Sequence, residues 1–191
     1  GAWDNQLYLV GGSRIYYPWT PESRVDNYDI AMGVWTASGG EQMPTAASFA
    51  SSTQAGQYLY VVGGLSGNVV EDQYQNIDQT QRYDLSTDTW EVGPTFTSAR
   101  ALGKLAVTGT HLYMLGGDLD GGTTFDMTDL VEVLDLADWP GGAWTDLGNP
   151  LPVANLYPAT TCSETLSEGE IWDVGGGDNA LSAYKEVFYL P

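Results

Sequence analysis

Histidine and cysteine are almost missing from this 191-residue chain, which has one of each, His111 and Cys162. A single cysteine excludes an intrachain disulfide, and as a nucleophile it would need a nearby base. The one histidine falls in an expected turn of a different segment, so no catalytic assignment is made. Cys162 reads as a buried residue of an inner strand. Basic residues are also few: 6 Lys and Arg stand against 25 Asp and Glu, a net charge of −19. Phosphate binding needs clustered Lys or Arg, so nucleic acid and anionic membrane are poor partners. No apolar run is long enough to insert into a bilayer, and no leader is visible, although either could precede Gly1. Sustained helical periodicity is lacking as well, and no helix longer than about one turn is expected.

What is present argues for a packed β protein: 42% of residues are hydrophobic and 12% aromatic. With lysine scarce and Gly, Thr, Ser, Tyr and Trp plentiful, the composition suits an extracellular or cell-surface protein. Four phrases share one template. They are LYLVGG at 7–12, LYVVGG at 59–64, LYMLGG at 112–117 and IWDVGG at 171–176. Their first glycines, Gly11, Gly63, Gly116 and Gly175, recur with a period of roughly 50 residues, the spacing of a repeated supersecondary unit. The third phrase continues into Asp118-Leu119-Asp120-Gly121, but no Lys-Ser or Lys-Thr pair follows, which excludes a phosphate loop. A second motif follows each of the first two: Tyr28-Asp29 leads to Trp35 and Tyr83-Asp84 to Trp90. In the third unit Leu134 takes the Tyr place and extra residues delay the tryptophan to Trp144. In the fourth, Tyr189 is followed by Leu190 and the chain stops. Small-residue and apolar runs ahead of each Gly-Gly strand, joined to it by polar turns, read as hairpins.

These motifs resemble the kelch repeat, and the resemblance covers nearly the whole chain. It implies an all-β, kelch-type β-propeller of four-stranded antiparallel blades. The innermost strand comes first, Gly-Gly ends the second strand, Tyr-Asp lies on the third, and the fourth follows the Trp. Approximate repeats are 1–43, 44–98, 99–152 and 153–191. Blades are wedges packed face to face, so glycine should admit close backbone or ring contacts and the aromatics should fill the space. Trp35, Trp90 and Trp144 are therefore expected to be buried between blades, and Tyr28, Tyr60, Tyr83 and Tyr113 to have similar structural roles. The first unit is expected to lack its inner strand and the last its outer one, giving about fourteen strands. Propellers close with about four to eight blades. This chain therefore reads as an incomplete segment of a larger propeller, the remaining blades coming from the same or another chain.

Loops are where such a scaffold carries function. The most unusual, residues 13–24, clusters Tyr16, Tyr17 and Trp19 between prolines and arginines, and these three are the candidate ligand-binding residues for a sugar ring or a protein hot spot. Asp118, Asp120, Asp126 and Asp129 partly resemble a calcium loop but lack the third alternating acid and the bidentate Glu. They read as turn residues, as do Glu71, Asp72 and Asp78. No metal and no cofactor is assigned. The expected function is a non-catalytic extracellular binding or scaffolding module that recognises a protein or glycan through its loops. Two alternatives stand beside it. One is part of a carbohydrate-active enzyme similar to galactose oxidase or the kelch-type sugar-acid isomerases, with its site on absent blades. The other is a structural subunit of a surface or multi-subunit assembly.

Overall fold

The computed structural model describes residues 1–13, 20–37, 40–67, 75–121, 126–156, 159–163, 170–177 and 187–190. Among them the chain forms consecutive antiparallel sheets. The first is β1 (Ala2–Trp3), β2 (Gln6–Val10), β3 (Val25–Asp29) and β4 (Val34–Ala37). The second is β5 (Ser51–Ala55), β6 (Tyr58–Val62), β9 (Thr80–Asp84) and β10 (Thr89–Val92), with a small pair, β7 (Leu65–Ser66) and β8 (Gln75–Asn76), carried on its β6–β9 connection. The third is β11 (Lys104–Thr108), β12 (His111–Leu115), β13 (Val131–Asp135) and β14 (Thr145–Asp146). The fourth is β15 (Ala159–Ser163), β16 (Glu170–Val174) and β17 (Val187–Leu190). The helical element among the described residues is one 3-10 turn, Leu136–Asp138.

Each sheet is a blade, and the first strands of successive blades lie side by side: β5 against β11, and β11 against β15. The expectation that the first unit has no inner strand is corrected. Ala2 and Trp3 pair with Leu7 and Gln6, giving that blade a short β1. The backbone of Ala2 is held to the second blade by Gln54, whose side chain accepts from its N–H at 2.7 Å and donates to its carbonyl at 2.8 Å. The tryptophans Trp35 and Trp90 lie within their fourth strands, whereas Trp144 immediately precedes β14.

The glycine pairs explain how blades join. Gly116 and Gly117 have φ of +56° and +113°, a region costly to any residue with a Cβ. A Cβ on Gly116 would lie 2.7 Å from the carbonyl oxygen of Asn155, and one on Gly117 2.6 Å from that of Ala101. The bare backbone thus accommodates the carbonyls of the linkers that leave and enter the blade. An indole does not fill this space; the ring beside Gly63 is that of Phe96, on the linker to the next blade. The N–H groups of Gly12, Gly64 and Gly117 donate to the carbonyls of Ala47, Arg100 and Asn155 at 2.9, 3.0 and 3.0 Å. These bonds fix the equivalence of the three linkers.

Candidate functional site

Register along the strands puts the same positions of each blade on one face. Leu7, Leu59 and Leu112 are equivalent on the second strand, as are Leu9, Val61 and Met114. On the third strand Asp26, Gln81 and Glu132 correspond, then Tyr28, Tyr83 and Leu134. Tyr28 faces Trp35 and Tyr83 faces Trp90 directly across the third and fourth strands, with ring centroids 5.2 and 5.0 Å apart.

In the second and third blades this face is covered by the preceding blade. Leu59, Val61, Tyr83 and Trp90 share a core with Val25, Met43 and Ala47, while Leu112, Met114, Leu134 and Trp144 share one with Tyr60, Val62 and Phe96. The Trp90 indole N–H donates to the Glu41 carbonyl, and that of Trp144 to the Thr80 hydroxyl. Their exposures are 8% and 3%. Trp35 departs from the expected burial: it is 59% exposed, and Leu7, Leu9 and Val34 are exposed beside it. The cause is positional, since among the described residues no blade lies against the first blade on that side. Tyr60 and Tyr83 are buried, whereas Tyr28 and Tyr113 are half-buried.

The polar position of the face is specialised in each blade. Gln81, fully buried, accepts the N–H of Thr45 through Oε1 at 2.7 Å and donates through Nε2 to the same residue's carbonyl at 3.2 Å. Glu132, also buried, accepts the N–H and hydroxyl of Thr97 on Oε1 and pairs through Oε2 with the Arg100 guanidinium. Arg100 donates further through its terminal nitrogens to the carbonyls of Ser98 and Met114, whereas among the described residues its buried Nε has no acceptor. Burial pushes its pKa down from the usual arginine value, opposed by the Glu132 carboxylate. In the first blade Asp26 pairs with Arg24, whose Nε and Nη2 approach Oδ1 at 2.8 and 2.7 Å.

A recess of about 290 Å³ opens between the inner strands of the second and third blades, lined by Phe49, Ala50, Ser51, Ser52, Leu102, Gly103 and Lys104. Phe49 and Leu102, at equivalent places ahead of β5 and β11, have φ of +55° and +61°. Bulky residues in this region are strained, and such strain collects at binding sites. Here it is held by the Leu102 N–H donating to the Phe49 carbonyl at 3.1 Å and by the Ser51 hydroxyl donating to the Gly103 carbonyl at 2.7 Å. Lys104 is half-buried at the rim, and among the described residues its ammonium has no ion pair. The recess therefore presents the half-buried Phe49, the exposed Ser52 and one cation, with Leu102 and Ser51 buried in its wall. Sequence reasoning missed it, and the available signal was a lysine on an inner strand of a lysine-poor chain.

The sequence-stated candidates Tyr16, Tyr17 and Trp19 lie outside the described residues. So do Glu71 and Asp72. Asp118 is buried, and its carbonyl is bonded by Ala101 N–H at 3.1 Å and Asn76 Nδ2 at 2.9 Å, while Asp120 N–H reaches its carboxylate at 3.4 Å. Asp126 contributes its carbonyl to Leu119 N–H at 2.9 Å. These contacts are those of a loop tied to its neighbours. Among the described residues no cluster of three or more His, Cys, Asp or Glu side chains could hold a metal ion. His111 begins β12, so it is a strand residue instead of the expected turn residue, and its Nε2 lies 3.8 Å from Asp135. Cys162 is on β15, opposite Ile171.

Residues 46–97 match the kelch motif family. The chain is 27% identical over 184 residues to the kelch repeat protein M-T8 of Myxoma virus, covering 95% of this chain and 31% of that protein. It is 24% identical over 202 residues to human kelch repeat and BTB domain-containing protein 12, covering 100% of this chain and 32% of the relative. Alpha-scruin of Limulus polyphemus matches at 25% over 84% of this chain and 17% of its own length. The chain thus spans about a third of the length of the first two. Among solved structures, YjhT superposes with a TM-score of 0.71 at 17% identity, over 91% of this chain and 56% of that one, a likeness of fold.

Proposed function

We propose, on the premise that this chain is a run of kelch-repeat blades, that it is a non-catalytic binding module whose partner is a protein. The observation that carries this reading is the recess between β5 and β11. It is a concave seat built by two equivalent linkers, with the half-buried Phe49 for apolar contact and Lys104 for an acceptor group. Binding sites combine these features: an apolar lining with a few placed polar groups on a scaffold that does not move. A partner side chain or chain terminus bearing a carboxylate satisfies both halves. A net charge of −19 steers acidic partners away at long range, so Lys104 serves for registration more than for attraction.

A photocrosslinking residue at Ser52, which is exposed at the recess, tests this directly. Specific protein adducts at Ser52, reduced by Lys104→Glu and absent from a crosslinker at the exposed Thr89 on the outer strand, are the expected result. Equal labelling from both positions, or none at Ser52, overturns it. Recognition of a glycan through Tyr16, Tyr17 and Trp19 is the second reading, supported by the clustering of three aromatics outside the repeat positions. Glycan-array binding lost in Trp19→Ala would favour it. An extracellular or cell-surface setting is part of the proposal and rests on composition alone.

A further inference from the structure

The connection between β13 and β14 departs from its counterparts. Residues 30–33 and 85–88 close the β3–β4 and β9–β10 hairpins, whereas in the third blade the same connection runs over 136–144 and carries Trp139 onto the second blade. That blade holds a seat for it which the first and third do not repeat. Arg82 stands where register puts Asn27 in the first blade and Val133 in the third, and Glu91 faces it where they have Thr36 and Thr145. The Arg82 guanidinium lies between two rings, 4.0 Å from the Tyr58 centroid and 4.6 Å from that of Trp139. One Glu91 oxygen, Oε2, accepts from Arg82 Nε at 2.7 Å and from the Trp139 indole N–H at 3.2 Å, and lies 2.6 Å from Arg82 Nη2. Tyr60 meets the indole edge-on, with centroids 5.6 Å apart, and Gly93 has no side chain to obstruct it.

We propose that residues 137–143 form a strap that lifts from the second blade and recloses on it as a unit, latched by Trp139 against Arg82 and Glu91. The backbone permits this. The Leu136 N–H donates to the Thr110 carbonyl at 2.7 Å, the Ala137 N–H to the Asp135 carboxylate at 2.9 Å and the Gly141 N–H to the Asp138 carbonyl at 2.8 Å, all within the third blade. Among the described residues no backbone hydrogen bond ties the strap to the second blade. Ala137, Asp138, Pro140, Gly141 and Ala143 are exposed, so the half-buried Trp139 carries the inward contact. Opening therefore breaks side-chain contacts alone, and segments with few buried contacts are those that open separately from a core. The latch is also chemically selective. A planar guanidinium stacks on both rings while two of its nitrogens meet one carboxylate, which the point charge of a lysine does not reproduce. With the strap closed, the Arg82 side chain is 15% exposed. Opening uncovers this cation beside Tyr58 and Tyr60, so the strap controls access to a basic, aromatic patch where two blades meet in a chain of net charge −19.

The test needs no partner and does not depend on the recess. The whole chain is labelled with 5-fluorotryptophan, and the Trp139 fluorine signal is the one missing from Trp139→Phe; Trp90 and Trp144 are assigned in the same way. An endoproteinase that cuts ahead of aspartate reads the strap a second time, at the exposed Asp138. In Arg82→Gln the Trp139 signal should move toward that of free 5-fluorotryptophan and cleavage at Asp138 should rise severalfold, while the Trp90 and Trp144 signals stay in place. Arg82→Lys should fall between this variant and the parent. An unchanged Trp139 signal and cleavage rate in Arg82→Gln would overturn the latch. Trp90 or Trp144 signals that shift as far as that of Trp139 would overturn the strap, since the blades would then be loosening together. Should Arg82→Gln not fold, Glu91→Gln, at a side chain 53% exposed, carries the same comparison, and no faster cleavage at Asp138 in that variant refutes the proposal.

Discussion

The buried pair Arg100 and Glu132 lends itself to a double-mutant cycle that the protein itself has half performed. Both side chains are fully buried. Removing one partner leaves the other charged and without a counter-charge, at a cost of about 3–5 kcal/mol. Glu132→Gln and Arg100→Ala should each fall in that range, and Arg100→Ala also frees the acceptor carbonyls of Ser98 and Met114. The second blade solves the same packing problem without charge, with Gln81 at the Glu132 position and Ala47 at the Arg100 position, where Ala47 and Arg100 accept equivalent glycine N–H bonds. The double variant Glu132→Gln/Arg100→Ala copies that arrangement. It retains the Thr97 N–H as a donor to the amide oxygen and removes both charges, so its cost should be well below the sum of the singles, with a coupling of roughly 2–3 kcal/mol. Urea denaturation followed by tryptophan fluorescence gives the four free energies, provided the m-values agree. Additive single costs would refute the claim that the penalty arises from an orphaned charge, and would point instead to lost packing around the guanidinium stem.

Trp90→Ala and Trp144→Ala should each destabilise the chain by about 3–5 kcal/mol, whereas Trp35→Ala should cost about 1 kcal/mol or less in the 191-residue chain, because only its stacking on Tyr28 is lost. Equal urea midpoints for the three would contradict the positional account. Gly117→Ala, which meets both an unfavourable φ and the Ala101 carbonyl, should cost more than Gly12→Ala, for which a strained φ of +90° is the whole penalty of about 1–2 kcal/mol; thermal denaturation ranks them. A Cβ on Gly93 would fall within the Trp139 ring. Gly93→Ala should therefore displace that indole from its place over Arg82, 4.6 Å from the guanidinium carbon, detected as a changed near-UV circular dichroism signal and a loss of about 1–3 kcal/mol. Asp84 is slightly desolvated, which raises its pKa, but hydrogen bonds from Ser86, Gln57 and the Thr87 N–H outweigh this and hold it below 3.8. A carboxyl depressed on folding contributes stability at pH above its unfolded value and loses it as pH falls through the folded one. Asp84→Asn should thus flatten the stability profile below about pH 4, with an NMR midpoint for Asp84 under 3.8 as the direct check.

The sequence by itself determined the blade. Gly-Gly at a fixed period, Tyr-Asp ahead of Trp and alternating small and apolar strands are local requirements of backbone geometry, so they are visible without knowing what packs on what. Strand order, hairpin register and the pairing of Tyr83 with Trp90 followed from them. Only the tertiary structure decided which copies of a motif are buried. Trp35 and Trp90 share a motif, yet one is in solvent and the other in a core, because burial depends on the neighbouring blade and not on the residues around the tryptophan. The meaning of Gln81 and Glu132 was hidden for the same reason. Each is an unremarkable polar residue on a strand until the linker it meets, about 35 residues away in the pairs Thr45 with Gln81 and Thr97 with Glu132, is placed beside it. The recess at Phe49, Leu102 and Lys104 likewise exists only where two linkers converge. Short-range sterics write the repeat into the sequence, whereas long-range contacts between repeats choose its partners, and those contacts carry no local pattern.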